Sequence, residues 1–271
     1  MSATAKAHHK SKRRLSIYSA ADDKMLLGSK LGFAASEAYK LLRTNLVFAL
    51  PDEQKCRVIG ITSSVRGEGK STTTLNLGYT LAETDKKVLI IEADMRLPTI
   101  SKRLGLQNAQ GLSDLLAGIS YGGDVMQESC LHPELKIIAA GSVPPNPSEL
   151  LASERMKKTV QVLSEEFDFI LLDLPPVTAV SDPLVVAPLV SGMIVVVCQD
   201  YTNRRALDET VRQIEFSNAK LLGFVMNRSN VQEKSGKHYG KKYGKKYDNY
   251  GKYRSYGYSG SHQKTGRDKT D

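Results

Sequence analysis

Cysteine is scarce. The 271-residue chain has three, Cys56, Cys130 and Cys198, far apart and with neither CxxC nor metal-ligand spacing. That argues against a disulfide framework and for a reducing compartment. Long apolar runs are missing as well. The best, LVVAPLVSGMIVVVC, is broken by proline, serine and glycine and falls short of the roughly 20 residues a bilayer-spanning helix needs. The basic N-terminus lacks the apolar core of a secretory signal. A cytoplasmic protein is expected, peripheral to a membrane only through a partner or by charge.

Acidic residues are lacking at the two ends. Residues 1–16 hold five Lys/Arg and no acid, and residues 232–271 hold eleven Lys/Arg against four acids. The formal net charge is +9, yet residues 17–231 carry 22 basic and 25 acidic side chains. A nucleic-acid-binding fold carries basic residues on its own surface, so no specific nucleic acid is expected as a partner of the body. After Asn230 the aliphatic residues stop and Gly, Lys, Tyr and Ser take over. Such a segment cannot offset its ordering entropy. The expected organisation is a basic arm over 1–30, one domain over 31–230 and a disordered tail over 231–271.

Within the body, short β-rich runs alternate with helical stretches. The strands are expected at 57–63, 87–93, 135–140, 167–174, 192–198 and 220–227, and helices at 71–82, 112–117, 149–167 and 204–218. An earlier helix is expected over SEAYKLLRTNLVFAL, with Ser36 as N-cap and Ala38, Leu41, Leu42 and Leu46 on one side. Apolar runs without alternation suit strands covered on both faces, and strand–helix alternation gives a parallel sheet with right-handed crossovers. The fold class is α/β, a doubly wound and mostly parallel sheet.

ITSSVRGEGKSTTTLNLGYTLA joins a strand to a helix through a glycine-bearing turn. Backbone N–H groups of such a turn, with the positive end of the helix behind it, cradle phosphate oxygens. The lysine reaches the terminal phosphates and the next hydroxyl binds Mg²⁺. ATP-site candidates are therefore Ser64, Gly67, Glu68, Gly69, Lys70, Ser71 and Thr72; the strict pattern has glycine where this chain has Ser64. In VLIIEADMRLP a strand runs into Glu92 and Asp94, whose alternation points them the same way, and FILLDLPP delivers Asp173 to the carboxyl edge of the sheet.

SSVRGEGKST, VLIIEADMR and FILLDLPP, closed by a tyrosine cluster, together resemble the bacterial tyrosine kinases that control capsule and exopolysaccharide synthesis. The resemblance runs from about residue 30 to the end and implies a phosphate-loop NTPase fold. It implies that Lys70 holds the β- and γ-phosphates, that Ser71, Asp94 and Asp173 organise Mg²⁺, and that the first acid of the second motif takes the phenol proton. That acid is usually aspartate in the family and is Glu92 here. Phosphoryl transfer asks mainly for positioning and charge neutralisation, which such a set supplies. Tyr239, Tyr243, Tyr247, Tyr250, Tyr253, Tyr256 and Tyr258 then become the enzyme's own substrates on a glycine-spaced tether.

The family joins subunits into a ring through E-x-x-R-x-x-R, here Glu37, Lys40 and Arg43, with lysine at the middle place. Lysine there loses bidentate pairing. The ring is expected when the tail is unphosphorylated. The resemblance also implies a transmembrane activator, a polysaccharide co-polymerase whose cytoplasmic end completes the nucleotide site, and an opposing tyrosine phosphatase. GSVPPNPSELLAS is a candidate rigid loop near the site or a simple connector. Two rival readings exist: a positioning ATPase of the ParA/MinD type, and a phosphate-loop ATPase with a nucleic-acid-binding tail. The first rival has a signature lysine where this chain has Val65; the second predicts steep salt dependence.

Overall fold

The computed structural model describes residues 28–50, 55–106 and 109–229. Contacts divide the chain into Met1–Asn227 and Arg228–Asp271. The tail tyrosines and most of the N-terminal arm lie outside the described residues.

The first unit runs α1 (Phe33–Ala49), β1 (Arg57–Ser63), α2 (Lys70–Ala82), β2 (Val88–Glu92), α3 (Ile100–Arg103), α4 (Leu112–Ala117), α5 (Gly122–Val125), β3 (Met126–Glu128), β4 (Leu135–Ile138), α6 (Pro147–Ala152), α7 (Glu154–Glu166), β5 (Phe169–Asp173), α8 (Asp182–Val185), β6 (Gly192–Cys198), α9 (Arg204–Phe216) and β7 (Leu221–Asn227). The strands form one sheet in the order β3-β4-β2-β5-β1-β6-β7. All neighbours are parallel except β3, which pairs antiparallel with β4.

The unbroken apolar runs explain why both faces are covered. Leu89 and Ile91 of β2, with Ile170 and Leu172 of β5, enter a core shared with α4, α6, α7 and α9. Their neighbours Val88, Ile90, Phe169 and Leu171 enter the opposite core, with Leu46 of α1 and Leu75, Leu77 and Leu81 of α2. Period-two side chains thus feed two helical layers from each strand. The doubly wound, mostly parallel α/β architecture follows.

Local details depart from expectation. α1 begins at Phe33 behind Gly32, and Ser36 sits inside it, its N–H bonded to the Gly32 carbonyl at 2.9 Å. The single helix expected over 149–167 is two, because the Ser153 side chain accepts from the Met156 N–H at 3.2 Å and caps a new start. The short elements β3, α3, α5 and α8 have too few residues to show a period.

Parallel register brings three strand ends together. Asp173 of β5 stands level with Ile61 of β1 on one side and with Glu92 of β2 on the other. The turn after β1, the turn after β2 and the turn after β5 therefore share one edge, the position where open α/β sheets bind ligands.

Candidate active site

The turn from Ser64 to Gly69 leads into α2. Gly67 and Gly69 adopt φ of 89° and 96°, values that L side chains avoid. Ser64, in place of the pattern's glycine, is not among the positive-φ residues, so the substitution strains nothing. Three other segments hold the turn. Thr178, beyond β5, donates to the Ser64 carbonyl at 2.6 Å. Tyr201, beyond β6, donates its hydroxyl to the Arg66 carbonyl at 3.0 Å. Asn227, closing β7, donates to the Glu68 carbonyl at 2.9 Å.

Glu68 itself is wholly buried. Its carboxylate accepts from the Val65 N–H at 2.8 Å and from the Thr202 hydroxyl. Glu68 therefore braces the loop from inside, leaving loop amides as its contribution to any phosphate cradle. Thr178, Tyr201, Thr202 and Asn227 carried no sequence signal, since they come from separate segments with no fixed spacing to the loop.

Lys70, only 8% exposed, pairs with Asp94 at 2.8 Å. Burial alone would lower its pKa, but the Asp173 and Asp94 carboxylates, with a smaller share from Glu92, outweigh it and hold the ammonium above its ordinary value. Asp173 is completely buried, and that burial pushes its pKa up to about 6 against the pull of Lys70 and the Ser71 hydroxyl. One of its oxygens accepts from Thr74 at 3.3 Å; the other, Oδ2, has no hydrogen-bond partner. A buried carboxylate oxygen left without a donor calls for a ligand. Among the described residues no group of three or more His, Cys, Asp or Glu is arranged to hold a metal ion by itself. Two carboxylates and a hydroxyl are what Mg²⁺ takes from a protein when substrate phosphates supply the rest, so Asp94, Asp173 and Ser71 fit that ion.

Glu92 lies beside this group but is differently employed. Its Oε1 accepts from the N–H groups of Thr99 and Ile100, and its Oε2 from Ser101 at 3.0 Å and Ala140 at 3.3 Å. The expectation that it takes the phenol proton meets a carboxylate with every acceptor position filled.

Two further anchors flank the site. Arg96 pairs with the buried Asp182 at 2.9 Å, and the Ser148 hydroxyl shares that carboxylate. The prolyl loop is thereby tied to the turn after β2, which favours the first of its two expected roles. On α1, Lys40 pairs with Glu37 at 2.8 Å, while Arg43 donates to the Thr80 carbonyl at the end of α2, at 2.6 Å. Arg43 thus binds its own chain.

Fold and site define a phosphate-loop NTPase: a strand–turn–helix cradle, a lysine at the first position of the helix and two strand-end carboxylates on one sheet edge. Residues 54–255 match a family model described as ParA: NUBPL iron-transfer P-loop NTPase. Tyrosine-protein kinase YwqD of Bacillus subtilis (strain 168) is 36% identical over 200 residues, covering 74% of this chain and 84% of that protein. The crystal structure of the chimerical protein CapA2B2 has a TM-score of 0.68 at 32% identity, covering 77% of this chain and 97% of the other. The kinase domain of the Escherichia coli tyrosine kinase ETK gives 0.68 at 30% identity, covering 74% and 80%. The chain belongs to the bacterial tyrosine-protein kinases.

Proposed function

We propose that the chain transfers the γ-phosphoryl group of ATP to tyrosine hydroxyls, its own C-terminal cluster among them, and so regulates capsular or exopolysaccharide synthesis and export. The observation that carries the reading is the buried group of Lys70, Asp94 and Asp173 at the mouth of the glycine turn, in a chain whose tail holds seven closely spaced tyrosines. Loop amides from Ser64 to Gly69 and the N-terminus of α2 would take the β-phosphate oxygens. Lys70, kept protonated by its carboxylate neighbours, would lie against the terminal phosphates. Ser71, Asp94 and Asp173 would hold Mg²⁺, which when bound neutralises charge on the phosphoryl oxygens. Fixed charges in a water-poor site act without reorganising at the moment of transfer.

No helix among the described residues is long and apolar enough to cross a membrane. By resemblance, the proposal includes a separate transmembrane activator whose cytoplasmic end completes the nucleotide site, an opposing phosphatase, and a ring of unmodified chains. In the reading as a positioning ATPase, Val65 stands where the signature lysine belongs, and its N–H is committed to Glu68.

Mass spectrometry of the full chain after incubation with Mg·ATP, with the activator's cytoplasmic segment present, tests the reading. Phosphate is expected on several of Tyr239, Tyr243, Tyr247, Tyr250, Tyr253, Tyr256 and Tyr258, and none in a Lys70→Met chain. ATP hydrolysis without phosphotyrosine would move the chain to the ATPase reading.

A further inference from the structure

Glu92 is 0% exposed, and its carboxylate gathers three successive N–H groups at the start of α3 and a fourth from Ala140, beyond β4. A carboxylate offers about four lone-pair directions, and all four are used. Three of these bonds fix the start of α3. At its far end, Arg103 donates from Nη1 to the Thr72 hydroxyl at 2.6 Å, in the first turn of α2. A guanidinium beside the positive end of a helix is unfavourably placed by itself. It becomes favourable when an anion occupies that helix end, as a nucleotide phosphate would.

We infer that Glu92 is a positioning residue: it holds α3, and through α3 the Arg103 guanidinium, against Thr72 at the phosphate end of α2. The inference rests on the phosphoryl-transfer reading above. It also accounts for the length of the side chain. Aspartate at this place would withdraw the carboxylate by about 1.5 Å, one carbon–carbon bond, and the α3 amides would lose it.

The test uses the full chain and four variants: Glu92→Asp, Glu92→Gln, Arg103→Ala, and Glu92→Asp combined with Arg103→Ala. Calorimetry measures ATP binding with Mg²⁺ and with EDTA, and single-turnover tyrosine phosphorylation is followed against pH. Each single variant is expected to weaken ATP binding about tenfold, the scale of one charge-assisted hydrogen bond, whether or not Mg²⁺ is present. The pH profile should keep its shape, and the double variant should bind within about twofold of Glu92→Asp, because coupled residues are not additive. Four results overturn the inference. They are Glu92→Asp keeping its rate while Glu92→Gln loses turnover with binding intact, which marks a base; loss of affinity only with Mg²⁺, which marks a metal ligand; full additivity in the double variant; and unchanged affinity in Arg103→Ala. The last stands even if the Glu92 variants fail to fold, since Arg103 is partly exposed. Should the binding pattern hold in a chain that forms no phosphotyrosine, the kinase reading falls and the inference remains.

Discussion

Lys70→Met removes one buried cation and leaves two buried carboxylates facing each other without it. Methionine keeps most of the side-chain volume, so the loss is electrostatic. Breaking a buried ion pair costs about 3–5 kcal/mol, but the chain has a way to limit the damage. Asp173 already sits at about 6 with Lys70 present, so at pH 8 its protonation costs at most about two pH units, or ~3 kcal/mol. At pH 6 that cost is close to nil. The variant is therefore expected to be less stable than the parent by about 3 kcal/mol at pH 8 and by less at pH 6, where Asp173 is more often protonated although Asp94 still lacks its cation. Urea midpoints of the nucleotide-free chain at both pH values measure this, and adding Asp94→Asn should restore most of the loss at pH 8. Phosphorylation is expected to stay absent throughout, because in the proposed reaction the ammonium lies against the terminal phosphates. Equal destabilisation at both pH values would mean the lysine acts through packing, and no destabilisation at pH 8 would mean that the pair with Asp94 contributes nothing; either refutes the argument.

The wild-type chain should show opposite trends below neutrality. A carboxylate whose folded pKa is raised contributes stability that is full below its unfolded value and lost as pH rises through about 6. Nucleotide-free stability from this group should thus rise by up to about 3 kcal/mol between pH 7 and 4, while Mg·ATP-dependent phosphorylation falls below pH 6; flat activity from pH 5 to 7 refutes the assignment of Asp173. Gly69→Ala would place a Cβ 1.9 Å from the Asn227 amide nitrogen at a φ of 96°. Left-handed strain of about 1–2 kcal/mol and loss of the bond to the Glu68 carbonyl should abolish measurable ATP binding by calorimetry. Arg43→Ala removes a donor to the Thr80 carbonyl and should lower the melting temperature of the isolated chain by about 2–4 °C. An assembly defect in that variant counts as an interface effect only if Glu37→Ala reproduces it without the thermal shift.

The parts of the site legible in the sequence are those in which one segment carries both the chemistry and its placement. GEGKST places Lys70 and Ser71 on the first turn of a helix, and unbroken apolar runs place Asp94 and Asp173 at strand ends; the shared edge then follows from parallel pairing. The resemblance assigns Arg43, with Glu37 and Lys40, to a contact between subunits. Spacing along a helix says which side a residue leaves from, but not whether a neighbouring helix offers it a carbonyl, as α2 does.

Glu92 shows the same limit at shorter range. Alternation put it on the side of Asp94, and both carboxylates do act on Lys70. What alternation could not show is the turn that follows. Thr99 to Ser101 fold back so that three amides close on one side chain, and Ala140 arrives from beyond β4. The same holds for Thr202 and Asn227 around Glu68: each is an ordinary polar residue until sheet order sets β6 beside β1 and β7 beside β6. A carboxylate's role depends on how many donors reach it, and the donors to Glu92 and Glu68 come from residues between 3 and 134 positions away. Two acids in one motif therefore end in different surroundings: Asp94 faces a lysine on one oxygen and accepts from the Leu97 N–H on the other, whereas Glu92 is enclosed by four amides.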